Sequence, residues 1–133
     1  MFKFADTFIL SKLKSHLGLE HAEKNFFGGA PLKRNTIEYF WSLNIILQNL
    51  YGMSETTGPH TTMTDSKFNF KSAGFCIPGC DLRIDNPNEN GEGEICMRGR
   101  NVMMGYLKDE EQTMQTIDDY GYIHSGDLGK LDD

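Results

Sequence analysis

The spacing of the apolar residues changes near residue 66 of this 133-residue chain, and this change constrains the fold more than any single motif does. In the first half, apolar residues such as Ile37, Phe40 and Trp41 recur every three or four positions, which is typical of an amphipathic helix. In the second half, Leu82 and Ile84 alternate with charged residues, which is typical of a strand with one buried face. The chain is therefore predicted to be α/β first and β-rich afterwards.

The first half contains the pattern of helices around a short buried strand. Ile9, Leu13 and Leu17 recur at fourfold spacing and predict an opening helix that ends near Gly18. A mainly apolar run at residues 43–50 predicts a strand buried on both faces. Strands of that kind belong to parallel layers covered by helices, so we expect an α/β layer here.

The second half is predicted to contain a hairpin and one short helix. Residues 86–93 are rich in Asn, Pro and Gly and predict the turn, and residues 109–117 predict the helix. Residues 128–133 begin another strand-like alternation, from which we expect the chain to be part of a longer protein. We predict two subdomains, at residues 1–65 and 66–133.

Charge and hydropathy exclude some classes of function. A net charge of -6 and a pI near 5.1 leave no basic surface for nucleic acid. The longest apolar runs, residues 8–10 and 45–47, are much shorter than the ~20 residues that cross a bilayer, so we expect no transmembrane segment and a cytoplasmic location. The three cysteines are expected to be reduced, partly buried thiols, because they form neither an even set nor two pairs of zinc ligands.

One candidate ligand loop directly follows the predicted buried strand, and it consists of Tyr51, Gly52, Met53, Ser54 and Glu55. Strand ends in α/β sheets are common ligand sites. An aromatic ring offers a stacking face, glycine permits close approach to the backbone, a hydroxyl can donate to phosphate, and a carboxylate can hold magnesium. These residue types suit a magnesium nucleotide, although an ordinary polar loop that caps a turn would contain the same types.

A second candidate loop, Gly28, Gly29 and Ala30, lacks side-chain bulk. A flat base could lie against such a backbone and be recognised by its amides and carbonyls. The alternative is a plain strand-to-helix turn in which Pro31 opens the helix.

A third candidate stretch ends at Asp127, which follows His124, Ser125 and Gly126. A carboxylate can accept hydrogen bonds from the two hydroxyls of a ribose. The alternative is a Ser-Gly-Asp turn on the surface. The histidines His60 and His124 are interpreted as structural rather than as general bases.

In this order, the three stretches resemble the adenylate-forming superfamily of acyl-CoA synthetases, luciferases and peptide-synthetase adenylation domains. Residues 28–32 match its adenine-side loop, residues 51–56 its Tyr-Gly-x-Thr/Ser-Glu motif, and residues 122–127 its ribose-binding motif. Together they are far more specific than any one of them.

Further residues narrow the resemblance. The family's glycine-rich hairpin and following Gly-Tyr are matched by residues 93–100, Gly105, Tyr106, Leu107 and Thr113. Residues 54–60 and 77–80 look most like the bubblegum-type long-chain fatty-acyl-CoA ligases. Ser54 and Ser125 replace the commoner threonine but keep a hydroxyl, and Tyr122 stands where tryptophan is usual.

The resemblance implies a role for each candidate residue. Tyr51 would pack by the adenine, with Gly52 and Met53 beside it, Ser54 would face phosphate, and Glu55 would hold Mg²⁺. Asp127 would hold the ribose, and Gly28, Gly29 and Ala30 would line the base and acyl side. The implied fold is part of the large N-terminal domain of an adenylate-forming enzyme: the end of a parallel α/β subdomain and part of a distorted β-barrel.

The implied activity belongs to the full-length protein, which would convert ATP, a long-chain fatty acid and CoA to acyl-CoA, AMP and pyrophosphate. The phosphate loop and the domain with the catalytic lysine are not recognised in this stretch, so no catalytic residue is assigned and the chain alone is expected to bind nucleotide weakly at best. Two alternatives are a non-catalytic nucleotide- or protein-binding fragment and an enzyme for a different carboxylic acid. For the full-length protein, the resemblance implies peripheral attachment to the cytosolic face of the endoplasmic reticulum.

Overall fold

A computed structural model describes residues 9–64, 69 and 71–132. The chain divides into two compact units between Asn49 and Leu50, and each unit is described by itself. The predicted subdomain boundary at residues 65 and 66 lies outside the described residues and stays a prediction.

The first unit contains two helices and a parallel pair of strands. In chain order these are α1 (Ser11–His16), β1 (Asn25–Phe27), α2 (Arg34–Ser42) and the start of β2 (Leu47–Met53). β1 and β2 are parallel and in register from Asn25 opposite Leu47 to Phe27 opposite Asn49, which confirms the predicted α/β layer.

The strand predicted at residues 43–50 is wrong in its start, because β2 begins only at Leu47 and the residues before it end α2. Asn44 adopts a left-handed conformation with φ 58°, and its N–H donates to the carbonyl of Trp41. The N–H of Ile45 donates to the carbonyl of Phe40, which completes the two-bond pattern that closes many helices. The apolar run thus contains a helix end as well as a strand. None of the described helices is long and apolar enough to cross a bilayer.

The second unit begins with an antiparallel sheet. Residues 50–53 of β2 pair with β3 (Gly58–Thr62), and β3 pairs with β4 (Phe75–Cys76). The register shifts between Tyr51 and Gly52, where a Cβ atom on Gly52 would lie 2.1 Å from the carbonyl oxygen of Gly58. Only glycine therefore allows the two backbones to approach this closely.

A second, three-stranded antiparallel sheet follows, with β6 (Gly93–Gly99) between β5 (Cys80–Asp85) and β7 (Ile123–Gly129). The predicted hairpin is confirmed, with Ile84 opposite Ile95. Cys96, Met97 and Ile123 are completely buried and form its core. The sheet is open, so the part of a distorted barrel implied by the resemblance is represented here by three strands.

One helix, α3 (Glu110–Thr116), lies between β6 and β7 in the sequence. Its start is fixed by Asp109, whose carboxylate accepts a hydrogen bond of 3.0 Å from the N–H of Gln112. This confirms the predicted helix. The strand-like alternation predicted at residues 128–133 is confirmed only at Leu128 and Gly129, which end a strand that begins at Ile123 and pairs with β6, whereas residues 130–132 lie outside it.

Candidate functional site

Tyr51 lies within β2 rather than in a loop after the strand, which corrects the sequence prediction. The strand continues to Met53 because this part pairs with β3, and Ser54–Thr56 then form one turn of 3-10 helix. Thr56 is completely buried, and its hydroxyl donates to the carbonyl of Gly58 at 2.8 Å. The buried side chain of Thr56 therefore stabilises the polar turn.

The structure brings Tyr51 and Asp127 together across 76 positions of sequence. The hydroxyl of Tyr51 donates to Oδ2 of Asp127 at 2.9 Å. Burial, with the nearby carboxylate of Asp127, raises the pKa of Tyr51 to about 12, so the phenol keeps its proton and acts as the donor. The two residues that the sequence assigned to adenine and ribose are thus neighbours.

Asp127 lies on a bulge of β7. The three residues Ser125, Gly126 and Asp127 stand opposite a single residue, Ile95, of β6. The flanking pairs are Glu94 with Leu128 and Cys96 with His124. Such a bulge disrupts the ladder locally and turns side chains outward. Asp127 is accordingly exposed on a bulged strand, and not on the surface turn that was the alternative.

Three hydrogen bonds fix the shape of this bulge. The hydroxyl of Ser125 donates to the carbonyl of Ile95 at 2.7 Å, and the N–H of Asp127 donates to that hydroxyl at 3.1 Å. The N–H of Gly126, where φ is 75°, donates to Oε1 of Glu94 at 2.9 Å. Glu94 therefore supports the backbone next to Asp127, a role that the sequence did not reveal.

Glu55, the predicted magnesium ligand, is held by its backbone and side chain. Its carbonyl accepts the N–H of Met103 at 2.8 Å, and its Oε1 accepts the hydroxyl of Tyr106 at 3.0 Å. This bond to Glu55 raises the pKa of Tyr106, so the phenol donates. Within the described part of the chain, Oε2 of Glu55 accepts no hydrogen bond, and an oriented carboxylate of this kind fits Mg²⁺, which prefers oxygen ligands.

Asn101 links the turn that carries Glu55 to the neighbouring strands, and sequence reasoning missed it. Its Nδ2 donates to the carbonyl of Thr56 at 2.9 Å and lies 3.3 Å from Nδ1 of His60. Its carbonyl accepts the hydroxyl of Thr57 at 2.7 Å. An asparagine directly after the glycine-rich hairpin was the only signal in the sequence.

The remaining predicted site residues are Ser54 and the three residues of the glycine-rich loop, and all four are exposed. Ser54 is exposed at the start of the 3-10 turn, where its hydroxyl can reach a ligand. Gly28, Gly29 and Ala30 are exposed in the first unit just after β1, and Gly29 has a φ of 78°. Their predicted contacts with phosphate and base stay predictions.

The two histidines in question have different environments. His60 is completely buried, and its Nε2 lies 2.9 Å from the carbonyl oxygen of Asp81. Both ring nitrogens of His60 thus face protein groups, which agrees with a structural role. His124 is half-buried, with Nδ1 2.8 Å from Oε2 of Glu94.

Comparison with known proteins gives the same class as the motifs. Residues 4–107 match the AMP-binding family, described as AMP-binding enzyme. The chain is 44% identical over 131 residues to the human "Long-chain-fatty-acid--CoA ligase ACSBG2" and 41% identical over 131 residues to "Long-chain-fatty-acid--CoA ligase ACSBG1" of Rattus norvegicus. These alignments cover 98% of this chain but only 20% and 18% of the relatives, so the chain spans about a fifth of their length.

Solved structures of adenylate-forming enzymes are similar in fold. Apo MatB from Rhodopseudomonas palustris superposes with a TM-score of 0.78 at 28% identity, covering 86% of this chain and 24% of MatB. The o-succinylbenzoate CoA synthetase MenE of Bacillus subtilis in complex with AMP has a TM-score of 0.77 at 27% identity and covers 93% and 34%. MenE with ATP and a magnesium ion has a TM-score of 0.70 at 27% identity and covers 92% and 27%.

The chain belongs to the AMP-binding enzyme family, and its fold is that of adenylate-forming enzymes. The recognised resemblance to bubblegum-type long-chain ligases is confirmed by its identity with the two ligases named above.

Proposed function

We propose that the full-length protein activates long-chain fatty acids as their acyl-CoA thioesters, and that this chain contributes the adenosine side of the nucleotide site. The observation that carries the proposal is the hydrogen bond between Tyr51 and Asp127. It joins the phenol of Tyr51 to the carboxylate of Asp127. A tyrosine ring suits adenine and a carboxylate suits the ribose hydroxyls, which supports the proposal. The long-chain acyl class is supported by two long-chain-fatty-acid–CoA ligases that are 41% and 44% identical to the chain.

Asp127 and Tyr51 would bind the nucleoside through groups that already face each other. The carboxylate of Asp127 is exposed and accepts only one phenol hydrogen bond from the described residues, so it has capacity for the two ribose hydroxyls. The half-buried ring of Tyr51 would lie against the base. A bulge whose backbone is already hydrogen-bonded loses little conformational freedom when ligand binds.

Glu55 would hold Mg²⁺ on the phosphate side. A bound magnesium ion neutralises charge that develops on phosphoryl oxygens. In this chain, Tyr106 orients the carboxylate of Glu55 through Oε1, and Ser54 next to it offers a hydroxyl to phosphate. CoA is proposed as the acyl acceptor of the full-length enzyme, through its thiol. A cytoplasmic location with peripheral membrane attachment stays a prediction.

Thermal unfolding with and without magnesium-ATP tests the proposal. At a nucleotide concentration ten times Kd, binding to the folded state adds about 1.4 kcal/mol and raises Tm by a few degrees. Asp127→Ala should remove the shift. Asp119→Ala, another exposed aspartate close to β7, is the matched control and should keep the shift.

An equal shift in parent and Asp127→Ala would contradict the assignment of Asp127. AMP alone separates the two halves of the site, because it carries adenine and ribose but not the triphosphate. AMP should therefore protect the Glu55→Gln variant almost as well as it protects the parent, while magnesium-ATP should protect that variant less.

A further inference from the structure

A second cluster of ligand-forming side chains lies on the sheet of β5, β6 and β7, beside the bulge that carries Asp127 but without any of the side chains assigned to the nucleotide. Glu94, Cys96 and His124 each offer one donor atom, and these atoms lie within 4.8 Å of one another. Nδ1 of His124 is 2.8 Å from Oε2 of Glu94 and 3.5 Å from Sγ of Cys96. The strand register explains the cluster, because Cys96 is directly opposite His124 and Glu94 borders the bulge.

These separations suit a tetrahedral metal ion. Metal–sulfur and metal–nitrogen bonds of zinc, of about 2.3 and 2.0 Å, place the two ligand atoms ~3.5 Å apart in a tetrahedron. The separation of Cys96 and His124 already has this value. The oxygen of Glu94 needs to withdraw from His124 only by about half an ångström to reach the separation that a tetrahedron requires.

Neighbouring groups orient two of the three ligands. Oε1 of Glu94 accepts the N–H of Gly126 at 2.9 Å, which leaves Oε2 directed at His124. Nε2 of His124 lies 3.8 Å from Oδ2 of Asp118, and Asp118 is itself fixed by the guanidinium of Arg83 at 2.6 Å. A carboxylate beside the second nitrogen is the usual outer partner of a metal-binding histidine.

Charge and exposure also favour a cation here. Among the described residues around the cluster, Glu94, Asp118 and Asp85 bring three carboxylates, whereas Arg83 beside Cys96 brings one guanidinium. Cys96 is completely buried, whereas the side chains of Glu94 and His124 are 32% and 27% exposed. Solvent therefore does not reach the cluster at the thiol of Cys96 but does reach it at Glu94 and His124, where a water molecule can complete the coordination.

We propose that Glu94, Cys96 and His124 form a site for a divalent transition-metal ion of the zinc class, with water as the fourth ligand. Binding releases the thiol proton of Cys96, so two anionic ligands and a neutral imidazole surround the ion. The ion would join β6 to the bulge of β7. The site is separate from Glu55 and does not depend on the proposed ligase function.

Cobalt(II) titration of the full 133-residue chain, kept reduced, is the test, because a cobalt–thiolate bond gives a charge-transfer absorption band. We expect one equivalent of Co²⁺ to produce the band and Zn²⁺ to abolish it. Cys96→Ser should eliminate the band, and His124→Gln should weaken Co²⁺ binding at least about 100-fold. Asp118→Asn, which removes the charge of the outer partner and of its pair with Arg83, should weaken it about tenfold.

Cys76→Ala and Cys80→Ala are the matched controls and should keep the band, since these thiols lie outside the cluster. Circular dichroism of each variant shows whether it is folded, and His124→Gln replaces Cys96→Ser as the deciding variant if the latter unfolds. No band in the folded parent would overturn the proposal. Unchanged Co²⁺ affinity in His124→Gln, or loss of the band in Cys76→Ala, would also overturn it, because the ion would then be bound elsewhere.

Discussion

The two units of the chain are stabilised in different ways. In the first unit, α2 has local side-chain hydrogen bonds, such as the bond of 2.7 Å between Arg34 and Glu38 one helical turn apart. In the second unit, side chains far apart in sequence are joined, as in Tyr51 with Asp127 and Tyr106 with Glu55. A local contact forms wherever the helix forms, whereas a distant contact requires the sheet to be in place first.

This difference determines where a ligand site can be prearranged. The glycine-rich loop of the first unit is exposed and consists of residues without long side chains, with Gly29 at a φ of 78°. The candidate site of the second unit has its carboxylates fixed by partners that are 51 and 76 positions away. Substitutions should therefore have larger effects in the second unit than matched substitutions in the first.

The largest loss of stability is expected from Gly52→Ala in the second unit, and Gly29→Ala in the first unit is its matched substitution. Gly52→Ala places a Cβ atom 2.1 Å from the carbonyl oxygen of Gly58 and 2.8 Å from the amide nitrogen of His60, so two backbones must separate. We expect a loss of about 3 kcal/mol or more. Gly29→Ala meets no atom within 4 Å and should cost only the ~1–2 kcal/mol of a left-handed alanine. Urea unfolding followed by circular dichroism measures both losses of stability. Equal losses would contradict the expectation that the second unit is the more sensitive one.

A buried polar contact provides the next test. His60→Ala removes a completely buried ring and leaves the carbonyl of Asp81 and the amide of Asn101 without it, so we expect a loss of about 3 kcal/mol. Ser42→Ala removes an exposed local bond to the carbonyl of Tyr39 and should cost less than about 0.5 kcal/mol. Urea midpoints of the two variants and the parent give the values. A smaller loss for His60→Ala than for Ser42→Ala would contradict the account.

Double-mutant cycles compare two exposed pairs. The cycle of Tyr51→Phe with Asp127→Asn should show a coupling free energy of about 0.5–1 kcal/mol, since a half-buried phenol donates to a carboxylate. The cycle of Arg34→Met with Glu38→Gln should show only about 0.3–0.5 kcal/mol, the usual value for an exposed pair on one helix. Stability measurements on the single and double variants give both couplings, and an order opposite to this one would show that the long-range bond is not formed in solution.

The smallest effect is a pH dependence. The hydroxyl of Tyr122, with help from Arg98, lowers the pKa of Asp81 below its usual range. Because the folded pKa is the lower one, the stabilisation is complete above the unfolded value of about 3.9 and is lost as the pH falls through the folded value. The parent should lose stability more steeply than Asp81→Asn between about pH 4 and pH 2. Parallel curves would mean that Asp81 has an unshifted pKa.

Local patterns in the sequence predicted the local elements. The apolar stripe of α2, the alternation in β5 and β6, and the acidic start of α3 all depend on neighbours within a few residues. The start of β2 was misplaced because Asn44 adopts a left-handed conformation that ends the helix inside an apolar run. Nothing in the spacing of apolar residues signals such an end.

The candidate site was predicted in its residues but not in its geometry. The motifs identified Tyr51, Glu55 and Asp127, yet their partners depend on strand register. The bulge opposite Ile95 and the bond from Tyr106 arise only when distant strands and turns meet. A sequence pattern with a period of two cannot show that three residues stand opposite one.

An AMP titration followed by amide NMR shifts tests whether Tyr51 and Asp127 hold the adenosine part of the nucleotide. We expect concentration-dependent shifts at Tyr51, Gly126 and Asp127 that disappear in Asp127→Ala and persist in Asp119→Ala. Shifts that avoid these three amides, or that are unchanged in Asp127→Ala, would contradict the claim.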